Sequence, residues 1–347
     1  MVQHHPALNS PAAPLCSVCI ANYNGVHMMA ECLDSVLAQD IDAPLEIIVH
    51  DDASTDNSVA FLRESYPQVE LLVSAENVGF CASNNRLVAH ARGEFVLLLN
   101  NDAALHPDAL KTLLAEARDR QSQGVLTLPQ YDWQNGKLVD RGCLLDPFYN
   151  PVPNLDESMT EVAYAIGACL WIPRKLWSDL GGFPEWMESI GEDMYVCCVA
   201  RLRGLSVHVT TSSGYEHRQG ASFGGNRVDA GKLHTTYRRR FLSERNKTAA
   251  LVICTPTPLA WPLLAVHVFL LCLEGVVLAG LRRDARIWRQ IYWASLADTL
   301  RNLGQLRERR CDVQATRRVG LRDYFGVFVW MPRKLSLLWR HGVPRIH

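Results

Sequence analysis

Residues 46–58 read EIIVHDDASTDNS, and few sequences constrain a fold as tightly. The apolar run Ile47, Ile48 and Val49 has the length of a buried strand and ends in two adjacent carboxylates, Asp51 and Asp52. Small polar residues follow. Ser54 or Asp56 can cap a helix over residues 58–64 by accepting from its free backbone N–H groups. Strand, acidic loop and helix form the unit of open α/β sheets, which bind ligands beyond the carboxyl ends of their strands. Taken alone, the same letters also describe a capped turn with solvated acids, so the neighbouring segments decide between the two.

Those neighbours repeat the pattern. Residues 15–23, LCSVCIANY, read as a first strand, and Asn24-Gly25 is a turn signal. Residues 28–38 have helical spacing, with Met29, Cys32, Leu33, Val36 and Leu37 on one side. Further strands are expected at 45–50 and 69–74. In residues 76–92, Asn77 and Gly79 suit a tight turn, and a helix follows over 81–91. Asn84 and Asn85 near its start are candidate donors to a ligand. Residues 95–99 form an apolar strand that runs into Asn100, Asn101 and Asp102, a second acidic strand end. Pro107 opens a helix over 107–120, and 125–129 reads as another strand. Residues 131–156 look loop-rich, and 163–172 are apolar around Gly167. Glu192-Asp193 opens a helix over 192–202, where acids also suit the helix dipole. A last strand at 206–211 leads to the segment around His217. The βαβ spacing implies a mainly parallel sheet with helices on both faces.

Composition narrows the possibilities. The opening residues 1–14 lack a basic start followed by an apolar core, so no export signal is expected. The eleven scattered cysteines then read as reduced thiols. Cys16 and Cys19 have CxxC spacing, but residues three apart on a strand face opposite ways, which argues against a shared metal. Net charge is −1, yet residues 282–347 hold 15 Lys and Arg against 5 Asp and Glu, a net of +10, leaving −11 on the rest. A basic tail suits an anionic partner, nucleic acid or lipid. The 23 residues 259–281 are apolar apart from His267 and Glu274, and are long enough to cross a bilayer. Trp261 and Arg282-Arg283 sit where interfacial anchors belong. Glu274 is costly at depth, so an in-plane or re-entrant helix pair is an equal alternative. The apolar stretch favours lipid over nucleic acid. No GxGxxG follows the first strand, which disfavours a dinucleotide-binding oxidoreductase.

Taken in order, IANYNG (20–25), DDASTDNS (51–58), NVGFCASNN (77–85), LLLNND (97–102), GGF (181–183), ED (192–193), HRQGAS (217–222) and RN (245–246) resemble the family 2 glycosyltransferases of the GT-A fold. The likeness leans toward bacterial rhamnosyltransferase-like members that build cell-wall or surface polysaccharide. It implies an α/β GT-A catalytic domain with a Rossmann-like sheet over residues 15–247. A flexible N-terminus, 1–14, would precede it, and a C-terminal helical, membrane-associating region, 248–347, would follow.

By the same resemblance, Ala21, Asn22, Tyr23, Asp51, Asp52, Asn77, Gly79, Asn84 and Asn101 would bind the nucleotide-diphosphate sugar. Tyr23 would lie near the base, and Asp51 would accept from its ring N–H. Asp102, in a motif whose first acid is here Asn100, would hold Mg²⁺ or Mn²⁺. His217 would sit near the diphosphate or the metal. Asp193 would be the general base of an inverting transfer, with Glu192 beside it. Two residues beyond Asp193, where relatives commonly carry another acid, stands Tyr195. The expected acceptor is a glycan or a lipid-linked glycan, at the cytoplasmic face of the inner or plasma membrane, with no nucleic acid involved. Galactosyl, glucosyl or N-acetylglucosaminyl transfer is the alternative activity. A non-catalytic sugar-nucleotide-binding role is the alternative class.

Overall fold

The computed structural model describes every residue except 1, 122, 221–226, 230, 231, 344 and 347. The chain forms two compact units. Met1–Cys143, Pro153–Ala200 and Leu205–Ser222 make the first, and Leu144–Val152, Arg201–Gly204 and Phe223–His347 the second.

The first unit is built on an eight-stranded sheet. Its centre is four parallel strands in the order Glu70–Ser74, Leu45–Asp51, Cys16–Asn22 and Phe95–Asn100. The register puts Ile20 between Val49 and Leu99, so three apolar runs are buried side by side. Strands buried on both faces read as continuous apolar runs, which is why they were legible in the sequence. Cys16, Val18 and Ile20 pack into one core with Met29, Leu33 and Val36 of the helix Val26–Leu37. Cys19 is buried but outside that core, in keeping with opposite strand faces.

Beyond the centre the sheet is mixed. Cys169–Pro173 runs antiparallel to Phe95–Asn100, and Val125–Thr127 pairs with it antiparallel in turn. Val207–Val209 closes that side in parallel with Val125–Thr127. The opposite edge is Val2–His5, antiparallel to Glu70–Ser74. Ladder bonds hold residues 2–5, although a short polar strand carries no periodic signal. The segment expected to be loop-rich likewise contains strands. Gln130–Asp132 and Leu138–Asp140 join Ala103–Leu105 and Tyr215–His217 in a small second sheet. Three-residue strands are too short for a pattern of alternation to declare them.

The second unit is mainly helical. Helices Tyr237–Cys254 and Ala260–Arg282 lead to a π-helical stretch, Ile287–Trp293, and a core of Leu271, Leu278, Ile287, Ile291, Tyr292 and Leu296. Gly275 is required there: a Cβ would lie 2.6 Å from Tyr292 Cγ. Two basic residues of helix Tyr237–Cys254 are turned inward. Lys247 Nζ lies 3.2 Å and Arg240 Nε 3.1 Å from the buried Glu244 carboxylate, and Lys334 Nζ reaches it at 2.9 Å. Glu274 is bonded by Arg240 and Lys334, so its charge is compensated within the unit.

Candidate active site

In the parallel core, the chain lays down Cys16–Asn22, then two strands to one side, and only afterwards Phe95–Asn100 on the other side. The strand order therefore reverses between Cys16–Asn22 and Phe95–Asn100, and ligands of open α/β sheets bind outside the carboxyl ends at such a point. Asn22 and Asn101 lie across it. Asn101 Nδ2 donates to Asn22 Oδ1 at 2.8 Å, and Asn22 Nδ2 donates to Asp51 Oδ2 at 2.9 Å. Asp51 is completely buried, and its Oδ1 accepts from the Ser54 N–H at 2.9 Å. Gly25 belongs to the same knot, since a Cβ there would lie 2.2 Å from Asn101 Nδ2 and 2.4 Å from Asn22 Oδ1.

The loop after Asp51 is fixed by its own polar residues. Asn24 Oδ1 accepts from the N–H groups of Thr55 and Asp56. Asp56 serves two segments: Oδ2 accepts from Val26 N–H at 3.1 Å and Oδ1 from Ser58 N–H at 3.0 Å, the helix-start role open to it in the sequence. Asp52 clamps the turn that follows the third parallel strand. Its two oxygens accept from Val78 and Gly79 N–H, both at 2.8 Å, and its carbonyl accepts from Asn77 Nδ2 at 3.3 Å. Asn84 and Asn85 also serve the protein's own backbone. Asn84, buried, donates to Phe80 O at 2.9 Å. Asn85 donates to Phe183 O and accepts from Phe183 N–H, pinning the GGF turn. Ala21 sits half-buried at the strand end, and Tyr23 beyond it is 52% exposed, an aromatic face open to solvent at the binding edge.

Asp102 and His217 meet because of sheet register. His217 pairs with Ala103 across an antiparallel ladder, which brings its ring to the preceding residue. His217 Nε2 lies 3.2 Å from Asp102 Oδ1, with both residues buried, and Arg218 N–H donates to Asp102 O at 3.0 Å. Behind the imidazole, Gln130 Oε1 accepts from Tyr215 Oη–H at 2.8 Å and lies 3.2 Å from His217 Nδ1. An oxygen already accepting from Tyr215 is matched by a proton on Nδ1. Nε2 then turns a lone pair toward a carboxylate, and two facing acceptors need a cation or a proton between them. One carboxylate oxygen and one imidazole nitrogen fit Mn²⁺, with Mg²⁺ the harder alternative. Of the HRQGAS motif, Ala221 and Ser222 lie outside the described residues.

Asp193 arrives by another route. It is the second residue of helix Glu192–Leu202. Its Oδ1 accepts from Met194 N–H at 2.7 Å and its Oδ2 from Gly167 N–H at 2.9 Å. Ala168, next to Gly167, accepts from Asn100 N–H at 3.0 Å. Cys169 pairs with Leu99, so Gly167 and Ala168 run past the strand end at the level of Asn100–Asp102. The half-buried Asp193 is thereby tied to the same edge as Asp102. Burial pushes its carboxyl above the ordinary aspartate range, against the pull of the backbone N–H donors. Glu192 is buried beside it. The approach to this helix is strained: Glu188 (φ 62°) and Ile190 (φ 71°) lie in the left-handed region, costly for a β-branched residue. Gly167, Gln130 and Tyr215 were not among the expected site residues. Only the fold brings them to Asp193 and His217, and no local motif marks them.

Residues 17–181 match the family model described as glycosyl transferase family 2. Chondroitin synthase of Escherichia coli is 34% identical over 188 residues, which are 53% of this chain and 26% of that protein. The chain spans about a fifth to a quarter of the length of the first curated relatives it matches. Among solved structures, S. aureus TarS 1–349 in complex with UDP aligns with TM-score 0.51 at 18% identity, over 87% of this chain and 90% of that one. Mannosyltransferase PcManGT from Pyrobaculum calidifontis, in complex with GDP-Man and Mn²⁺, aligns with TM-score 0.50 at 20% identity, over 86% and 90%. Residues 17–181 are thus similar to family 2 glycosyltransferases, and the unit that holds them has the α/β GT-A fold.

Proposed function

We propose that this protein is an inverting glycosyltransferase that moves a sugar from a nucleoside-diphosphate donor to a hydroxyl of a glycan or lipid-linked acceptor in polysaccharide synthesis. The observation that carries this reading is the tether of Asp193, through Gly167 and Ala168, to the strand end that bears Asp102. An acceptor hydroxyl held there gives its proton to Asp193 as its oxygen attacks the anomeric carbon. The bond from that carbon to the diphosphate oxygen breaks, and one displacement inverts the centre. A carboxyl raised by burial is a better proton acceptor than an ordinary aspartate, and general-base catalysis supplies about 10²–10⁴-fold in rate. Asp102 Oδ1 and His217 Nε2 would hold a divalent cation, which when bound neutralises charge on the departing diphosphate. Gln130 and Tyr215 fix the imidazole for that role. Tyr23 offers its exposed ring to the base, while Asn22, Asp51, Asp52, Asn77, Gly79 and Asn101 shape the loops around the nucleotide.

The resemblance favours a rhamnosyl-type donor, with other hexoses as the runners-up. The deciding experiment incubates the full chain with a panel of nucleotide sugars and Mn²⁺ and follows protein-dependent release of nucleoside diphosphate. One donor should stand out, and chelator should abolish release. Wild-type protein that binds donors but releases nothing with any glycan acceptor would favour the non-catalytic class. Full activity of Asp102→Ala in excess chelator would remove the metal from the reading.

Membrane association at the cytoplasmic face belongs to the same proposal. It is supported by helix Ala260–Arg282, with mean hydropathy 2.3 in its most apolar window and 22% of that window buried.

A further inference from the structure

At the sheet edge formed by the first residues, three side chains from three elements aim at one point. His4 lies on the edge strand, Glu70 on its neighbour, and His90 is the last residue of helix Phe80–His90. His4 pairs with Leu72, two residues from Glu70, so the alternation of the strand puts both side chains on one face. His4 Nε2 is 2.7 Å from Glu70 Oε1, and His90 Nε2 contacts the same oxygen. The three ligand atoms lie within 4.8 Å of one another, and the two rings meet edge-on with centroids 4.8 Å apart. None of these residues takes part in the site described above.

We infer that His4, Glu70 and His90 form a binding site for a transition-metal dication of the zinc type. Two imidazole nitrogens and one carboxylate oxygen are the ligand set of open, three-ligand zinc sites, with the fourth position left to water. The carboxylate is buried, while the His4 and His90 side chains are 44% and 35% exposed, so one side of the cluster stays open to solvent. Tetrahedral zinc with bonds near 2.0–2.2 Å spaces its ligand atoms by about 3.3 Å, so modest rotation of the two rings admits the ion. A second observation points to a cation: His90 ends its helix, where the dipole favours positive charge. Arg92 lies 3.8 Å from the other Glu70 oxygen and is itself engaged by Glu46, which leaves Glu70 Oε1 to the histidines. A bound ion would staple the first strand to the sheet and to the helix end.

The competing explanation is two neutral histidines donating N–H bonds to one carboxylate. The full chain is titrated with Zn²⁺ by calorimetry in saturating Mg²⁺, with thermal melts in parallel, for wild type, His4→Gln and His90→Gln. Glutamine keeps an N–H donor for Glu70 and is a poor zinc ligand, so the strand stays docked in either case. The inference requires one zinc site in wild type, a more than tenfold loss of affinity in each variant, and a zinc-dependent rise in Tm confined to wild type. Equal zinc binding in all three proteins, or none in wild type, overturns it. Sugar-nucleotide turnover should be unchanged in both variants, which separates a failure here from a failure of the proposed function.

Discussion

A carboxylate that accepts two backbone N–H bonds ought to be strongly acidic, yet Asp193 is pushed upward because burial outweighs those bonds. Asp193→Asn preserves size and removes the proton acceptor. Donor binding should persist while transfer falls by roughly 10²–10⁴-fold, measured as product formed at saturating donor. In wild type the rate should climb with pH as the raised carboxyl ionises, and that limb should vanish in the variant. Unchanged transfer would move suspicion to Glu192. Gly25 tests the other half of the site. Gly25→Ala forces a methyl into the Asn22–Asn101 bond, and overpacking of this kind costs about 1–3 kcal/mol. Donor affinity should drop with a modest loss in Tm; a variant with wild-type affinity would show that the asparagine pair does not shape the nucleotide site. Asp51, Asp102 and Asp193 were legible in the sequence because each lies at a strand end or helix start, where local pattern reveals position. Their immediate partners were not. Gly167 meets Asp193 across 26 residues of chain and Gln130 meets His217 across 87, separations at which only tertiary structure acts.

At the scale of elements, long apolar runs announced themselves and short strands did not. The four parallel strands were expected within a residue or two of their limits, since burial on both faces leaves an unbroken apolar run. The three-residue strands of the second sheet and the polar edge strand Val2–His5 are held by pairing partners instead, so nothing in their own letters marks them. Gly167, inside the apolar stretch 163–172, lies just before the strand Cys169–Pro173, and its N–H is free of that ladder to meet Asp193. The strand Leu138–Asp140 backs Gln130 and carries a buried acid of its own. Burial pushes Asp140 up to about 7, opposed by one N–H bond from Gly142. The folded protein therefore holds a proton there that the unfolded chain has released above about pH 4. Stability from this group is complete below that pH and is lost as pH rises through about 7, by a few kcal/mol in all. Asp140→Asn, which mimics the protonated acid, should flatten Tm across that window. Parallel Tm–pH curves for the two proteins would rule the group out.

For the molecule as a whole, the open question is what covers the apolar helix Ala260–Arg282. Its buried positions, Ala260, His267, Leu271, Gly275 and Leu278, follow one helical face, and Glu274 is neutralised by Arg240 and Lys334. The other face exposes Val266, Phe269, Leu270, Leu273, Val276, Val277 and Leu281. A helix bonded to its own unit along one side and bare on the other suits lying in a membrane interface better than crossing it alone. In the same unit, Trp330, Met331, Leu335, Leu338 and Trp339 are also exposed, next to Arg333, Lys334 and Arg340. Basic residues near anionic lipid contribute about 1 kcal/mol each, and buried side chains such as Phe or Val about 1.5–3 kcal/mol each. Removing everything after Lys247 would cut inside helix Tyr237–Cys254, so substitution is the cleaner test. Full-length protein should sediment with vesicles containing anionic lipid and stay bound in high salt, because apolar burial is not screened. Phe269→Asp with Val276→Asp, both on the exposed face, should cut vesicle binding more than tenfold and leave turnover of soluble acceptors intact. If the wild-type chain ignores such vesicles and elutes as a dimer that the same pair of substitutions dissociates, a second copy rather than lipid covers the helix.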